Sequence, residues 1–180
     1  MTKRSITLFA LCIPLISINT TEASPFNGGP QIKAYGKHAP VKQDLRIDKS
    51  MVFKVAFDIS EQGSKDGINR GFNSPARFLN MMVANGMPAA NVQLAVVVHG
   101  KAGFDLMSDT AYQQKFGRKN PNSALLDALL KQNIQIYLCG QSAAYYKIDN
   151  NQLHSGVKMA LSAMTAHAVL QNEGYTINPF

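Results

Sequence analysis

Four polar side chains stand at the ends of apolar runs in this sequence: Asp58, His99, Cys139 and Ser162. Cys139 carries the most chemistry. It closes the run IQIYL and precedes Gly140, Gln141 and Ser142. A helix opening at Ser142 would turn its unpaired N–H groups toward the sulfur and favour the thiolate, the nucleophilic form of cysteine. Gly140 would allow the sharp turn this needs. The same residue also reads as a small buried hydrophobe, since free cysteine is among the most buried residue types. His99, followed by Gly100, could share the site as base or proton relay, or be a hydrogen-bonded strand-end histidine. Lys158 could neutralise an anionic sulfur species or point into solvent. His167 lies among Ala163, Met164 and Leu170 on one helix side and reads as a satisfied interior or interface histidine. His38 and His154 fall in loops.

Other chemistries lack their patterns. There is no CxxC, HxxxH or HExxH, so no metal site is expected. HGKAG at 99–103 lacks the spacing of a phosphate loop, and GxSxG does not occur. No cofactor is expected. The 18 Lys and Arg against 11 Asp and Glu give a formal charge of +7. The cations are scattered and no aromatic residues interleave them, which leaves a solvated basic surface rather than a nucleic-acid footprint.

The elements that must position these residues follow from periodicity. Residues 52–59 alternate loosely and form a first strand, and 60–71 a loop. Ser74 and Pro75 read as N-cap and first residue of a helix whose inward face is Phe78, Leu79, Met82 and Val83, with Gly86 just past its end. Residues 92–98 are almost unbroken apolar, as in a strand covered on both faces. A short helix is expected at 109–115. Another opens at Asn120-Pro121 and carries Leu125, Leu126, Leu129 and Leu130 at helical spacing. Strands at 134–138 and 157–161 follow, with a short helix over 142–146 between them. A helix from Ser162 to about 172 is closed by Gly174, and 175–180 could add a short fifth strand. Strands alternating with helices imply βαβ crossovers and a largely parallel sheet covered on both faces, an α/β fold.

The ends of the chain bear on location. Lys3 and Arg4, the apolar run 6–18 and the Thr21-Glu22-Ala23 stretch have the order of a cleavable secretory signal at 1–23. The run is too short for a membrane span, which takes about 20 residues, so no membrane insertion is expected after cleavage. Export points to the periplasm. Loss of Lys3, Arg4 and Glu22 removes two positive charges and one negative, taking +7 to +6. Cys12 leaves with the signal, so Cys139 would be the one cysteine of the mature chain. Residues 24–50, punctuated by Pro and Gly, read as an irregular arm, and 51–180 as the domain. On the helix from Ser162, the residues Ala163, Met164, Ala166 and Ala168 would allow close approach of a second copy.

Five segments resemble the DsrE/DsrF-like family: FKVAFDIS (53–60), VVVHGKAGFDLM (96–107), NPNSALLDALL (120–130), IYLCGQSA (136–143) and GVKMALSAMTAHAVLQNEGYTINPF (156–180). They are most similar to its exported, intracellular-sulfur-oxidation-like branch. The resemblance implies a three-layer α/β/α domain with a mostly parallel sheet of about five strands, assembled into trimers or hexamers. It also implies a cysteine after a central strand that carries persulfide sulfur between partners, and Cys139 occupies that position. The expectation is therefore a periplasmic sulfur carrier or sulfurtransferase-like protein. Cys139 would hold the sulfur, Gly140, Gln141 and Ser142 would donate to it, His99 would relay protons, and Lys158 would line the site. Its partners would be a sulfur-donor or acceptor protein or a small sulfur compound. The alternatives are a non-enzymatic oligomeric binding or scaffold module with a structural cysteine, and metal or haem binding through Cys139 and His99.

Overall fold

The computed structural model describes residues 24–65 and 67–179. The expected leader at 1–23 lies outside the described residues. Five strands, β1 (Phe53–Ile59), β2 (Val92–Val98), β3 (Gln135–Cys139), β4 (Lys158–Ala160) and β5 (Thr176–Asn178), form one sheet in the order β4-β3-β2-β1-β5. Every pairing is parallel. Five α-helices join them: α1 (Arg70–Ala84), α2 (Asp109–Phe116), α3 (Ser123–Lys131), α4 (Gly140–Tyr146) and α5 (Ala163–Asn172). This is a three-layer α/β/α fold. None of the described helices is long and apolar enough to cross a membrane.

The two faces of the sheet are unequal. Because strand side chains alternate, Val55, Phe57, Ile59, Leu94, Val96, Val98, Ile136 and Leu138 point to one side. They pack there with Phe72 and Leu79 of α1, Tyr112 of α2, Leu125, Leu126 and Leu129 of α3, and Ala143 of α4. Ala56, Ala95 and Val97 point to the other side and meet Ala166 and Leu170 of α5, with Tyr175. Tyr137 and Ala160 complete that smaller core. Burial from both sides is why β2 carries no polar alternation inside it.

Several boundaries differ from the sequence reading for local reasons. Helix α1 begins at Arg70, and Pro75 lies inside it. The N-cap is Asn69, whose side chain accepts from the Gly71 N–H at 2.8 Å. Asn69 is held by tertiary bonds, its own N–H to Asn122 Oδ1 and its Nδ2 to Asp105 Oδ2, which the spacing of Ser74-Pro75 could not reveal. Helix α3 starts at Ser123, because the Asn120 amide is occupied with the carbonyls of Asp105 and Met107. Helix α4 follows the strand without a turn, two residues before Ser142. The arm is irregular and is fastened by buried Asn80 of α1. Its carboxamide accepts from Gln31 and Ile32 N–H and donates to the carbonyls of Ile32, Tyr35 and Gly36.

Candidate functional site

Cys139 is the last residue of β3 and the N-cap of α4, and it is 6% exposed. Burial pushes its thiol up. The Ser142 hydroxyl and the N–H groups of Ser142, Ala163 and Gln141 bond to the sulfur and outweigh that, so the thiol is held below its ordinary value. Two helix starts therefore converge on one sulfur. Gln141 and Ser142 belong to the first turn of α4, and Ala163 opens α5. The start of α5 is set by Ser162, whose hydroxyl accepts from Thr165 N–H at 3.0 Å while Thr165 Oγ1 accepts from Ser162 N–H at 2.9 Å. Ser142 is itself oriented by the Gly100 N–H, 2.9 Å from its oxygen.

Gly140 serves this arrangement by close approach, and the expected sharp turn is absent. A Cβ there would lie 2.6 Å from the Ala160 carbonyl oxygen and 3.0 Å from that of Leu161. Only glycine lets the β4–α5 connection pass close enough to bring Ala163 to the sulfur. Gln141 is exposed on its side chain, which donates to the Leu161 carbonyl at 3.2 Å.

His99 lies level with Cys139. Leu138 pairs with Val98, and the next residue on each strand is Cys139 and His99. Asp58 pairs with Val97 on the same sheet face, so Asp58, His99 and Cys139 share the α5 side of adjacent strands. Asp58 is the hub of this edge. One carboxylate oxygen is 3.0 Å from His99 Nε2 and the other 2.6 Å from His167 Nε2. Burial raises the Asp58 carboxyl, but the bonds from His167 and then His99 prevail and hold it below the usual carboxylate value. With Asp58 ionised, both Nε2 atoms must carry a proton to donate to it. His167 Nδ1 is buried and has no partner among the described residues.

The sequence placed Asp58 at the end of an apolar run without giving it a role and read His167 as an interior or interface histidine, so neither was expected in the site. Of the neighbours that its spacing offered, Ala163 and Leu170 pack inward with His167 but Met164 is 78% exposed, and the histidine's partner is a carboxylate 109 residues away. Lys158 does not join the group. It opens β4 level with Tyr137, two residues before the position paired with Cys139, and it is exposed. Position 158 lies at the start of a short edge strand, away from the carboxyl edge. His154 faces Asp127 at 3.5 Å, outside the site, and His38 pairs with Asn27 through its backbone.

Two imidazoles and a carboxylate are donors found in many metal centres. Among the described residues, however, no three such side chains have metal-holding geometry. His167 also lacks the acceptor that a metal-bound histidine normally engages through its second nitrogen.

Residues 68–179 match the model of the DsrE/DsrF-like family. The chain belongs to that family. Two solved structures share the fold. MTH1491, a protein of unknown function from Methanobacterium thermoautotrophicum, superposes with a TM-score of 0.54 at 19% identity, covering 71% of this chain and 99% of its own. The ychN protein from E. coli gives 0.50 at 18% identity, covering 71% and 100%. No curated protein matches the sequence.

Proposed function

We propose that this DsrE/DsrF-like protein acts in sulfur metabolism as a periplasmic carrier that holds sulfane sulfur as a persulfide on Cys139. The observation that carries the reading is the set of donors converging on one sulfur from the starts of α4 and α5, which favours the thiolate despite burial. The thiolate attacks a sulfane sulfur, R–S–S–H. The donor's S–S bond breaks, a new S–S bond forms between its outer sulfur and Cys139, and R–S⁻ leaves as the thiolate. One thiolate is consumed and one released, so no oxidant or reductant is needed. His99, level with the sulfur and oriented by Asp58, relays protons at the persulfide. The periplasmic setting rests on the charged, apolar and small-residue order of 1–23.

The outer face of α5 supports self-association. Met164 and Val169 on the helix, with Leu161 in the connection just before it, are 78%, 56% and 73% exposed beside the site, and a trimer or hexamer closed on this face would cover them. Ala166 does not take part, because it is spent on the chain's own sheet.

A second reading, a scaffold with a packed structural cysteine, is favoured by the 6% exposure of Cys139. Mass spectrometry after exposure to inorganic polysulfide separates the two. A carrier gains whole sulfur atoms that dithiothreitol removes, and Cys139→Ser gains none. A wild-type chain that gains no sulfur is a scaffold.

A further inference from the structure

The order of the strands places a crevice elsewhere on the same edge. From β1 the chain passes through α1 to β2 on one side of β1. From β4 it passes through α5 to β5, on the other side of β1. Helices α1 and α5 cover opposite faces. The connections flanking β1 and β5 thus diverge, and in open α/β sheets such a divergence opens a ligand crevice outside the carboxyl ends of the strands. A cavity of about 400 Å³ occupies that place, lined by Asp58, Ser60, Glu61, Gln62, Arg70 and Pro179 among others. Its volume falls within the range of small-molecule sites, about 300–1,000 Å³.

The lining carries both signs of charge. Asp58 and Glu61 present carboxylates, and Arg70 presents a guanidinium suited to a carboxylate. A simple anion would meet two like charges, and a simple cation would leave Arg70 unused. A ligand with both an ammonium and a carboxylate satisfies all three. Asp58, on the cavity wall, connects through its 3.0 Å bond to His99, which is level with Cys139. Strands β1 and β3 are two spacings apart, about 10 Å. A molecule held by its charged end at β1 needs a peptide-length arm to reach the sulfur at β3.

Resting on the carrier reading above, we infer that this crevice binds the α-amino-acid end of a zwitterionic peptide thiol, which delivers sulfur to Cys139 as its persulfide. The transfer is the balanced exchange already written, with the peptide thiol leaving as its thiolate. Ser60 adds a neutral hydrogen-bonding group at the wall. The acidic excess, Asp58 and Glu61 against Arg70, selects for an ammonium on the donor and against inorganic thiosulfate.

The test uses the purified Cys139→Ser protein titrated with S-methylglutathione, whose blocked sulfur isolates binding from transfer. Amide NMR should show saturable shifts at residues 60–64 and 70–71. Arg70→Ala and Glu61→Gln should each weaken binding about tenfold or more, the scale of one lost charged contact. No saturable shift at millimolar probe, shifts confined to other parts of the fold, or variants that bind like the parent would overturn the inference. Polysulfide loading of wild-type Cys139 is measured in parallel. Loading without crevice binding sinks only the donor assignment, whereas crevice binding without loading sinks the carrier reading and the donor role together.

Discussion

Replacing Asp58 with asparagine keeps the shape of the side chain and removes its charge. The wild-type carboxylate accepts from His167 Nε2 at 2.6 Å and His99 Nε2 at 3.0 Å. A carboxamide offers one oxygen, and its nitrogen can only donate. One histidine must therefore give up its Nε2 proton and carry it on Nδ1. For His167 that would place an N–H at a buried position with no acceptor among the described residues, a cost of about 1–3 kcal/mol. The oxygen should stay with His167, and His99 should change tautomer. A hydrogen bond to a charged group contributes about 1.5–3 kcal/mol. One such bond is lost outright and the other loses its charge. The carboxylate is 34% exposed, so solvent screening trims the loss to about 1–2 kcal/mol. The assay is urea unfolding at fixed protein concentration, with imidazole ¹⁵N shifts to read the tautomers. The sign of the pH dependence follows from the depressed Asp58 carboxyl. Its contribution is present above the unfolded carboxylate value near 3.8 and is lost as pH falls through the lower folded value. Wild type and variant should thus differ at pH 7 and pH 5 and converge only as pH falls below the depressed folded value. Equal stability at pH 7, or a His99 ring that keeps its Nε2 proton in the variant, would refute the hub role of Asp58.

Other outcomes follow from the same geometry. Ser142→Ala removes a hydroxyl donor to the sulfur and the acceptor of Gly100 N–H, so the pH midpoint of Cys139 alkylation should rise, read by iodoacetamide kinetics across pH. In the wild type that midpoint should lie below the roughly 8.5 of a free thiol, and a midpoint above it would return Cys139 to a structural role. Gly140→Ala sets a Cβ 2.6 Å from the Ala160 carbonyl oxygen, and the resulting backbone shift should cost about 1–3 kcal/mol in thermal unfolding. Leu126→Ala empties a fully buried position of α3 and should cost about 2–5 kcal/mol, without changing the alkylation midpoint of Cys139.

Much of the fold was legible because it depends on local periodicity. The unbroken apolar run at Val92–Val98 is a strand covered on both faces, and it forms at those residues. Gly86 and Gly174 adopt φ +85 and +89 just past α1 and α5, the left-handed conformation that made them readable as helix ends. The cap Ser162 is likewise a local signal, bonded to residues three positions on. Asn69 went unnoticed and Asn120 was taken for a helix start because their partners lie at long range, at Asn122 and Asp105 for the first and at Asp105 and Met107 for the second. The site divides along the same line. That Cys139 and His99 end neighbouring apolar runs is a property of the sequence. That Asp58 sits between two imidazoles, that Ala163 joins Gln141 and Ser142 at one sulfur, and that Lys158 stands apart were decided by strand order and by the crossing of α5. A chain carries no local record of which strands become neighbours, since that choice comes from packing whole faces against one another.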